Sequence, residues 1–385
     1  MDTSKSVPGI VRIAALMIVI SLGIYWCIYL KTILVPLVIS LLLSLLVLPI
    51  TTEIEEKVKS KAWSIVLTLI LFLGLVSGTS YFVILQLADI LDIWPELQKK
   101  TNLLVLEIER WIKVMVPGGR KWANNNNLNE VYLSFISSTG PSILLSATSM
   151  LAEMTLIPLY MFFMLYYRTF FIEVLYRFSG DKERPRLNRI LYKIYDVVHN
   201  YLSGIFIVMV IVGTLNTLSL LLLGIPYAIF FGFFAAFLLL IPYFGILLGS
   251  LLPIIMALIT KDSAMYGVGV AVAFSFIQFL EGNFITPYVV GSKISVNPLM
   301  SIIALLLGAV IWGIPGMALA LPITAVMKVI FDNFSKLKAF GFMLGDPAVE
   351  RLGTSVNSDV AKDPIEEYVV QKDVTNEEKL KEEAE

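Results

Sequence analysis

Cysteine and histidine are all but missing from this chain of 385 residues, where Cys27 and His199 each stand alone. A single thiol excludes an internal disulfide framework, and one thiol with one imidazole gives a Cys/His metal site no ligand set, so no metal is expected. Charge is scarce as well. Only 15% of residues are charged while 57% are hydrophobic, and the mean hydropathy of +0.82 lies outside the range of soluble domains. Catalytic signatures are also lacking: the chain has no G-x-x-x-x-G-K-[ST] nucleotide loop, no H-E-x-x-H, and no Asp pair or Ser/His pair within its apolar runs. These absences exclude a built-in nucleotide motor and leave no basis for an enzyme or a cofactor; a primary pump would need a separate partner. Cys27, inside an apolar run, reads as a small buried thiol, and His199, where a charged loop meets a span, as an interfacial polar residue.

What is present is oil-like sequence in long pieces. Apolar runs at 10–30, 33–50, 62–85 and 151–167 have the length of transmembrane helices, or nearly so. Lys5 and Arg12 precede the first run in the manner of a signal peptide, but no A-x-A-like cleavage site follows, so it reads as a retained span. Residues 168–196 carry seven bases and four acids. With Lys57, Lys59 and Lys61 in an earlier loop and Lys328, Lys336 and Lys338 near the end, the positive-inside tendency places these loops and both termini in the cytoplasm. The tail at 339–385 holds 12 acids and five bases, so the rest of the chain has a net charge of about +6. That excess suits a lipid bilayer with anionic headgroups, and no basic patch points to nucleic acid.

The expected organisation is three spans over 1–85, an external region over 86–150, a fourth span with a basic cytoplasmic segment over 151–200, a transport core over 201–338, and an acidic, disordered tail over 339–385. In the external region Leu104, Ile108, Trp111, Ile112 and Met115 define one face of an amphipathic helix. That face fits a membrane surface, a neighbouring subunit or a small external helical layer equally well.

Two segments of the core share one design. PYAIFFGFFAAFLLLIPYFGILLGSLLPIIMAL from Pro226 and PLMSIIALLLGAVIWGIPGMALALPITAV from Pro298 are each interrupted midway by an Ile-Pro pair with a nearby glycine: Ile241-Pro242 with Gly245, and Ile314-Pro315 with Gly316. The arms, of about 13 to 16 residues, are too short to cross a ~30 Å hydrocarbon layer at 1.5 Å per residue. Each pair therefore reads as a re-entrant hairpin or a sharply broken helix, and a matched pair of this kind points to a transporter's binding site. Each segment follows a span, at 203–223 and 264–280, and the linker EGNFITPYVVGSKISVN separates the two units. If both broken segments are re-entrant, they enter from opposite sides as an inverted repeat; if both cross fully, the C-terminus still lies inside. The expected fold is an all-α polytopic membrane protein of about eight hydrophobic segments.

Few polar groups accompany these breaks. Gln278 and Glu281, three residues apart, share one helix face and are followed by Gly282 and Asn283. An ionised acid at membrane depth costs about 2.5 to 3.5 kcal/mol, which suits Glu281 to ion, proton or substrate handling, with a carboxylate snorkelling at the interface or paired to Lys293 as the alternative. Pro242 and Pro315 free backbone carbonyls that could bind a polar ligand, while Gly245, Gly249, Gly313 and Gly316 let backbones approach. Tyr243 and Phe244 at the first tip could stack on or gate a ligand, or simply fill the tip. Asn216, with Thr214 and Thr217 in mid-span, fits either interhelical hydrogen bonding or substrate contact.

On these residues the chain resembles the autoinducer-2 exporter family of bacterial inner-membrane proteins. LLLIPYFGILLGSLLP, ending at Pro253, looks like the family's Ile-Pro-Tyr signature; QFLEGNFITPYVVGSKISVNPL and GAVIWGIPGMALALPITAVMKVI continue its pattern. The resemblance covers roughly 10–340 and singles out Pro242, Gly245, Glu281, Asn283, Pro287, Gly291, Pro298, Gly313, Gly316 and Pro322. Phe244 departs from it, since many relatives carry an aliphatic residue there. The family implies eight hydrophobic segments, cytoplasmic termini, export of small polar signals or metabolites, and homo-oligomers, with pentamers among them; some relatives are associated with sodium/proton exchange. Three readings follow: a secondary exporter of a small polar solute coupled to H+ or Na+, a sodium/proton antiporter on the same scaffold, and a passive pore or non-transporting scaffold.

Overall fold

The computed structural model describes residues 9–92, 156–240, 244–290 and 296–346, with 99–100, 106, 110 and 113–115 besides. Most of the external region, including most of its proposed amphipathic face, lies outside the described residues, as do most of the acidic tail, Pro242, Tyr243 and Gly291.

Helices account for the described chain, and there are no strands among the described residues, only an isolated bridge between Val296 and Gly345. The expected N-terminal spans appear as α1 (Gly9–Tyr29), α2 (Lys31–Val58) and α3 (Lys61–Asp92), followed by α4 (Leu156–Tyr166) and α5 (Arg168–Ser179). Val47, Ile65, Leu69, Met161 and Leu165 form one buried cluster joining α2, α3 and α4. Small hydroxyls let these helices pack: Ser40 Oγ donates to the Pro36 carbonyl at 2.6 Å and to the Ile157 carbonyl at 3.1 Å, binding α2 to α4. α1 stands almost wholly exposed, tethered where Trp312 Nε1 donates to the Cys27 carbonyl at 2.9 Å.

A single helix of 39 residues, α6 (Arg184–Leu222), is the axis of the second half. The span expected at 203–223 is its far end. Onto it fold α7 (Ala228–Phe237), a 3-10 turn at Leu238–Leu240, α8 (Phe244–Thr260) and α9 (Met265–Leu280). Gly213 faces Phe233 and Gly232 faces Thr217, so α7 runs antiparallel to α6. Gly245 meets the Leu238 carbonyl and Gly249 meets Ala235, so α8 doubles back along α7, and the first broken segment is a helical hairpin.

α9 does not stop at a linker. It continues through a π turn, Glu281–Ile285, into α10 (Thr286–Val289), which corrects the expectation of a loop after Leu280. The π turn wraps one extra residue, and the Thr286 N–H bonds the Glu281 carbonyl five residues back, so the chain passes Gly282 without losing its helical path.

The second hairpin pairs α11 (Pro298–Trp312), whose first turn is capped by Asn297 Oδ1 accepting from the Leu299 N–H, with α12 (Ile314–Asn333); α13 (Lys338–Leu344) follows. Its turn is Gly313 alone, at φ 66° and ψ −139°, a conformation reserved for glycine. Ile314-Pro315 is therefore the first turn of the returning arm rather than the break itself, as suits a proline whose missing N–H has no partner there. That arm has 20 residues, not about 13, because α12 runs on past Val326 to Asn333 with Pro322 inside it, which makes it long enough to cross a membrane. Pro253 and Gly249 likewise lie within α8. These three are not breaks; each proline only leaves one carbonyl a turn earlier without its helical donor.

Among the described residues six helices are long and apolar enough to cross a membrane, and a seventh span forms if α4 and α5, bent by 63°, count together. The chain is an all-α, multi-pass membrane protein.

Candidate functional site

Position along α6 shows how the hairpins are arranged. Leu239, beside the first tip, packs with Val208 and Val212. Trp312, beside the second tip, packs in the cluster of Leu42, Val198 and Leu319 with Leu202. The second hairpin also runs antiparallel to α6, since Leu319 packs with Val198 while Asn333 accepts from Arg186. The first hairpin therefore approaches from the Leu222 end of α6 and the second from the Arg184 end. The first tip thus packs at the level of Val208 and Val212 on α6 and the second near Val198 and Leu202. Val290, just past α10, lies against Gly204 between those two levels.

The polar groups collect beside this junction. Asn216 on α6 is 4% exposed, and its Oδ1 is buried with no hydrogen-bond partner. It opens onto a cavity of about 10 Å³, room for about one water, whose wall includes Val212, Leu239, Phe274 and Gln278. Gln278 Nε2 donates to Glu281 Oε2 at 2.5 Å, and the other carboxylate oxygen, Oε1, accepts from the Thr286 hydroxyl. One line of contacts thus runs from a buried unpaired amide oxygen across a water-sized cavity to Gln278, Glu281 and Thr286. An unpaired carbonyl oxygen in such surroundings costs about 1 to 3 kcal/mol, so the site favours anything that brings a hydrogen-bond donor.

The remaining predicted residues divide cleanly. Asn283 is exposed and donates to the Phe279 carbonyl at 2.9 Å on its own helix, so it is not part of the cluster. Pro287 is exposed in the first turn of α10. Gly245 is buried at the first tip, and Phe244 begins α8. Pro315 and Gly316 belong to the second tip, where Gly316 packs on Gly308, and Pro298 starts α11. Thr286 was not foreseen as a site residue. His199, expected at an interface, stacks on Tyr195 at 5.4 Å between ring centres, with Nδ1 buried and unpartnered.

The loop ends that carry the basic residues gather at one end of the bundle. Arg168 Nη2 reaches Glu55 Oε2 at 2.6 Å, Lys61 Nζ lies 5.7 Å from the Tyr166 ring centre, and Arg186 caps the Asn333 carbonyl while its guanidinium lies 5.3 Å from the Phe334 ring centre.

Comparison with known proteins supplies the lineage. The profile of the AI-2E family transporter matches residues 14–336. YrrI of Bacillus subtilis (strain 168), a proposed transport protein, is 32% identical over 155 residues, covering 40% of this chain and 43% of YrrI, less than half its length. YueF from the same organism, also a proposed transport protein, is 26% identical over 282 residues, covering 69% of this chain and 75% of YueF. MT0215 of Mycobacterium tuberculosis, of the same description, is 30% identical over 135 residues, 34% of either chain.

Proposed function

The chain belongs to the AI-2E transporter family, and from that premise we propose that it is a secondary transporter that exports a small polar solute, of the autoinducer-2 or metabolite kind, by alternating access. The observation that carries this reading is the polar line from the buried Asn216 through the half-buried Gln278 and Glu281 to Thr286, set where two hairpins approach from opposite ends of α6. Broken helices and a π turn put polar groups and bent backbone at a depth where unbroken helices would offer a solute only hydrocarbon. In this mechanism the hairpins with α6 and α9 move against α2, α3 and α4, with a homo-oligomer as the anchor. The basic end faces the cytoplasm of a bacterial inner membrane, with both termini inside.

Coupling is assigned to a proton carried at Glu281, since moving one charge across 100 mV supplies about 2.3 kcal/mol. A Na+ ion at the same carboxylate is the antiporter alternative.

Reconstituted vesicles test this. Purified protein is offered a mixture of small polyhydroxylated solutes under an imposed pH gradient, and accumulation is followed by mass spectrometry. Uphill accumulation that vanishes in Glu281→Gln supports the exporter and its coupling residue. Full proton-coupled flux in Glu281→Gln rejects that residue, pH-dependent sodium flux without solute movement favours the antiporter, and silent vesicles leave a scaffold. Cysteines placed singly at Phe244 and Pro315 should be labelled from opposite faces of the membrane; labelling from one face rejects the inverted arrangement.

A further inference from the structure

The helix α5 has no assigned role, and its surroundings identify one. α4 is apolar along its length, and at Tyr167 the chain turns by 63°, so α5 leaves the direction of α4. With α4 along the membrane normal, α5 would lie roughly 27° from the membrane plane, and the usual helix tilt of about 20° can bring it closer. Its two sides differ. Thr169 accepts from Lys61 Nζ, Tyr176 donates its hydroxyl to Asn188 Oδ1, and the Arg184 guanidinium lies 5.2 Å from the Tyr176 ring centre, so the polar side is tied to α3 and α6 by surface contacts. Arg168, at its start, is ion-paired to Glu55 on α2. These contacts fix the rotation of the helix and turn Phe170, Phe171, Ile172, Leu175 and Phe178 outward, all exposed, with Phe178 87% exposed. Positions 171, 175 and 178 follow the four-then-three spacing of one helical face.

Charge identifies what covers that face. Beside the apolar side chains stand the exposed cations Arg177, Lys182, Arg184, Arg189 and Lys193, in the segment where bases outnumber acids seven to four. Apolar rings that turn away from the protein, next to cations at the basic end of a spanning bundle, match the acyl and headgroup layers of an anionic leaflet. We propose that α5 is an interfacial anchor that lies in the cytoplasmic leaflet, with Phe171, Leu175 and Phe178 among the acyl chains and Arg177 and Lys182 on anionic phospholipid headgroups. The anchor joins α4 directly to α6, the helix that bears Asn216. The assignment does not depend on the transported solute, and a failure of the export reading leaves it untouched.

The test uses the full chain with Cys27→Ser and one new cysteine, Phe178→Cys or Thr169→Cys, nine residues apart and hence on opposite sides of the helix. Each carries an environment-sensitive fluorophore and is reconstituted at low protein density in mixed phosphatidylcholine and phosphatidylglycerol vesicles. Either the neutral or the anionic lipid bears a nitroxide near its headgroup. The label at 178 should be quenched and that at 169 spared, with Phe171→Cys behaving like 178. Quenching at 178 should report anionic lipid enriched over neutral lipid by about fivefold for each cation in reach. Adding Arg177→Gln and Lys182→Gln should bring the two lipids to parity. Equal quenching at 169 and 178, parity between lipids in the unaltered cationic background, or protection of 178 that appears only as protein density rises, which would mean a second copy covers the face, each overturns the proposal.

Discussion

Replacing Gly316 with alanine tests the second hairpin directly. A Cβ there would sit 2.7 Å from the Gly308 carbonyl carbon and closer still to its oxygen, with the Trp312 Cβ at 2.9 Å. Ordinary carbon contacts begin near 3.5 Å, so the arms must part by about 0.8 Å or more. The opposing atoms are backbone in a closed turn and cannot swing aside, which puts the cost at the upper end of the overpacking range, about 3 kcal/mol. Two controls separate sterics from conformation. Gly313 has open space around its Cβ position but a φ of 66°, so Gly313→Ala should cost about 1 to 3 kcal/mol through backbone strain alone. Gly282, with nothing within 4 Å, lies in the π turn at ordinary helical φ, so Gly282→Ala should be neutral or gain up to about 1 kcal/mol. Denaturation of the purified protein in mixed micelles, followed by tryptophan fluorescence, should therefore rank the variants with Gly282→Ala most stable and Gly316→Ala least. A Gly316→Ala protein as stable as the parent would mean that the arms do not close on each other, and the opposed-hairpin geometry would fall with it.

Three further substitutions probe separate links. Asn216→Leu removes a buried oxygen that has no partner; stability should hold or rise by about 1 kcal/mol while transport in vesicles is lost, and a large loss of stability would show that the amide is structural. The pair Arg168 and Glu55, each side chain about one quarter exposed, should show a coupling of about 1 kcal/mol in a double-mutant cycle with Ala at each position, and zero coupling would release α5 from α2. Trp312→Phe deletes the hydrogen bond to Cys27, so amides near the end of α1 should exchange faster, by a factor corresponding to about 1 kcal/mol, while those of α9 stay unchanged. Unchanged exchange in α1 would mean that packing, not this bond, holds it.

Apolar length was the most legible property of the chain. The runs at 33–50 and 62–85 became α2 and α3 because about 20 apolar residues in a bilayer have few alternatives to a helix. The interruptions were legible only in part. Gly313 does break the chain, but Pro253 and Pro322 do not, since a proline removes one hydrogen bond and neighbouring helices can hold the rod straight enough to continue. The sequence alone does not say which prolines have such neighbours. The end of the fourth span at Tyr167 was legible, but the helix after it was not: RTFFIEVLYRFS reads by charge as a cytoplasmic segment, and its helical face shows only when the polar side finds Asn188 and Lys61.

Thr286 marks the deeper limit, and it explains what the π turn does for the site. In a regular α-helix a residue five positions on lies about 140° around the axis, so Thr286 would point well away from Glu281, and a period of 3.6 pairs Glu281 with Gln278 alone. One extra residue in the turn changes that relation. With the Thr286 N–H bonded to the Glu281 carbonyl, positions i and i+5 stack, and the hydroxyl reaches the second carboxylate oxygen that a straight helix would leave bare. The carboxylate is then held on both oxygens, by Gln278 and Thr286, and its orientation depends on the turn itself. Straightening the π turn during transport would release Thr286 and free one oxygen for a proton or cation. Deleting Gly282, which returns the segment to a regular α-helix with one residue fewer, should therefore abolish coupled flux even though every polar side chain of the cluster remains. Retained coupling in that deletion would show that Thr286 and the π turn are incidental to the site.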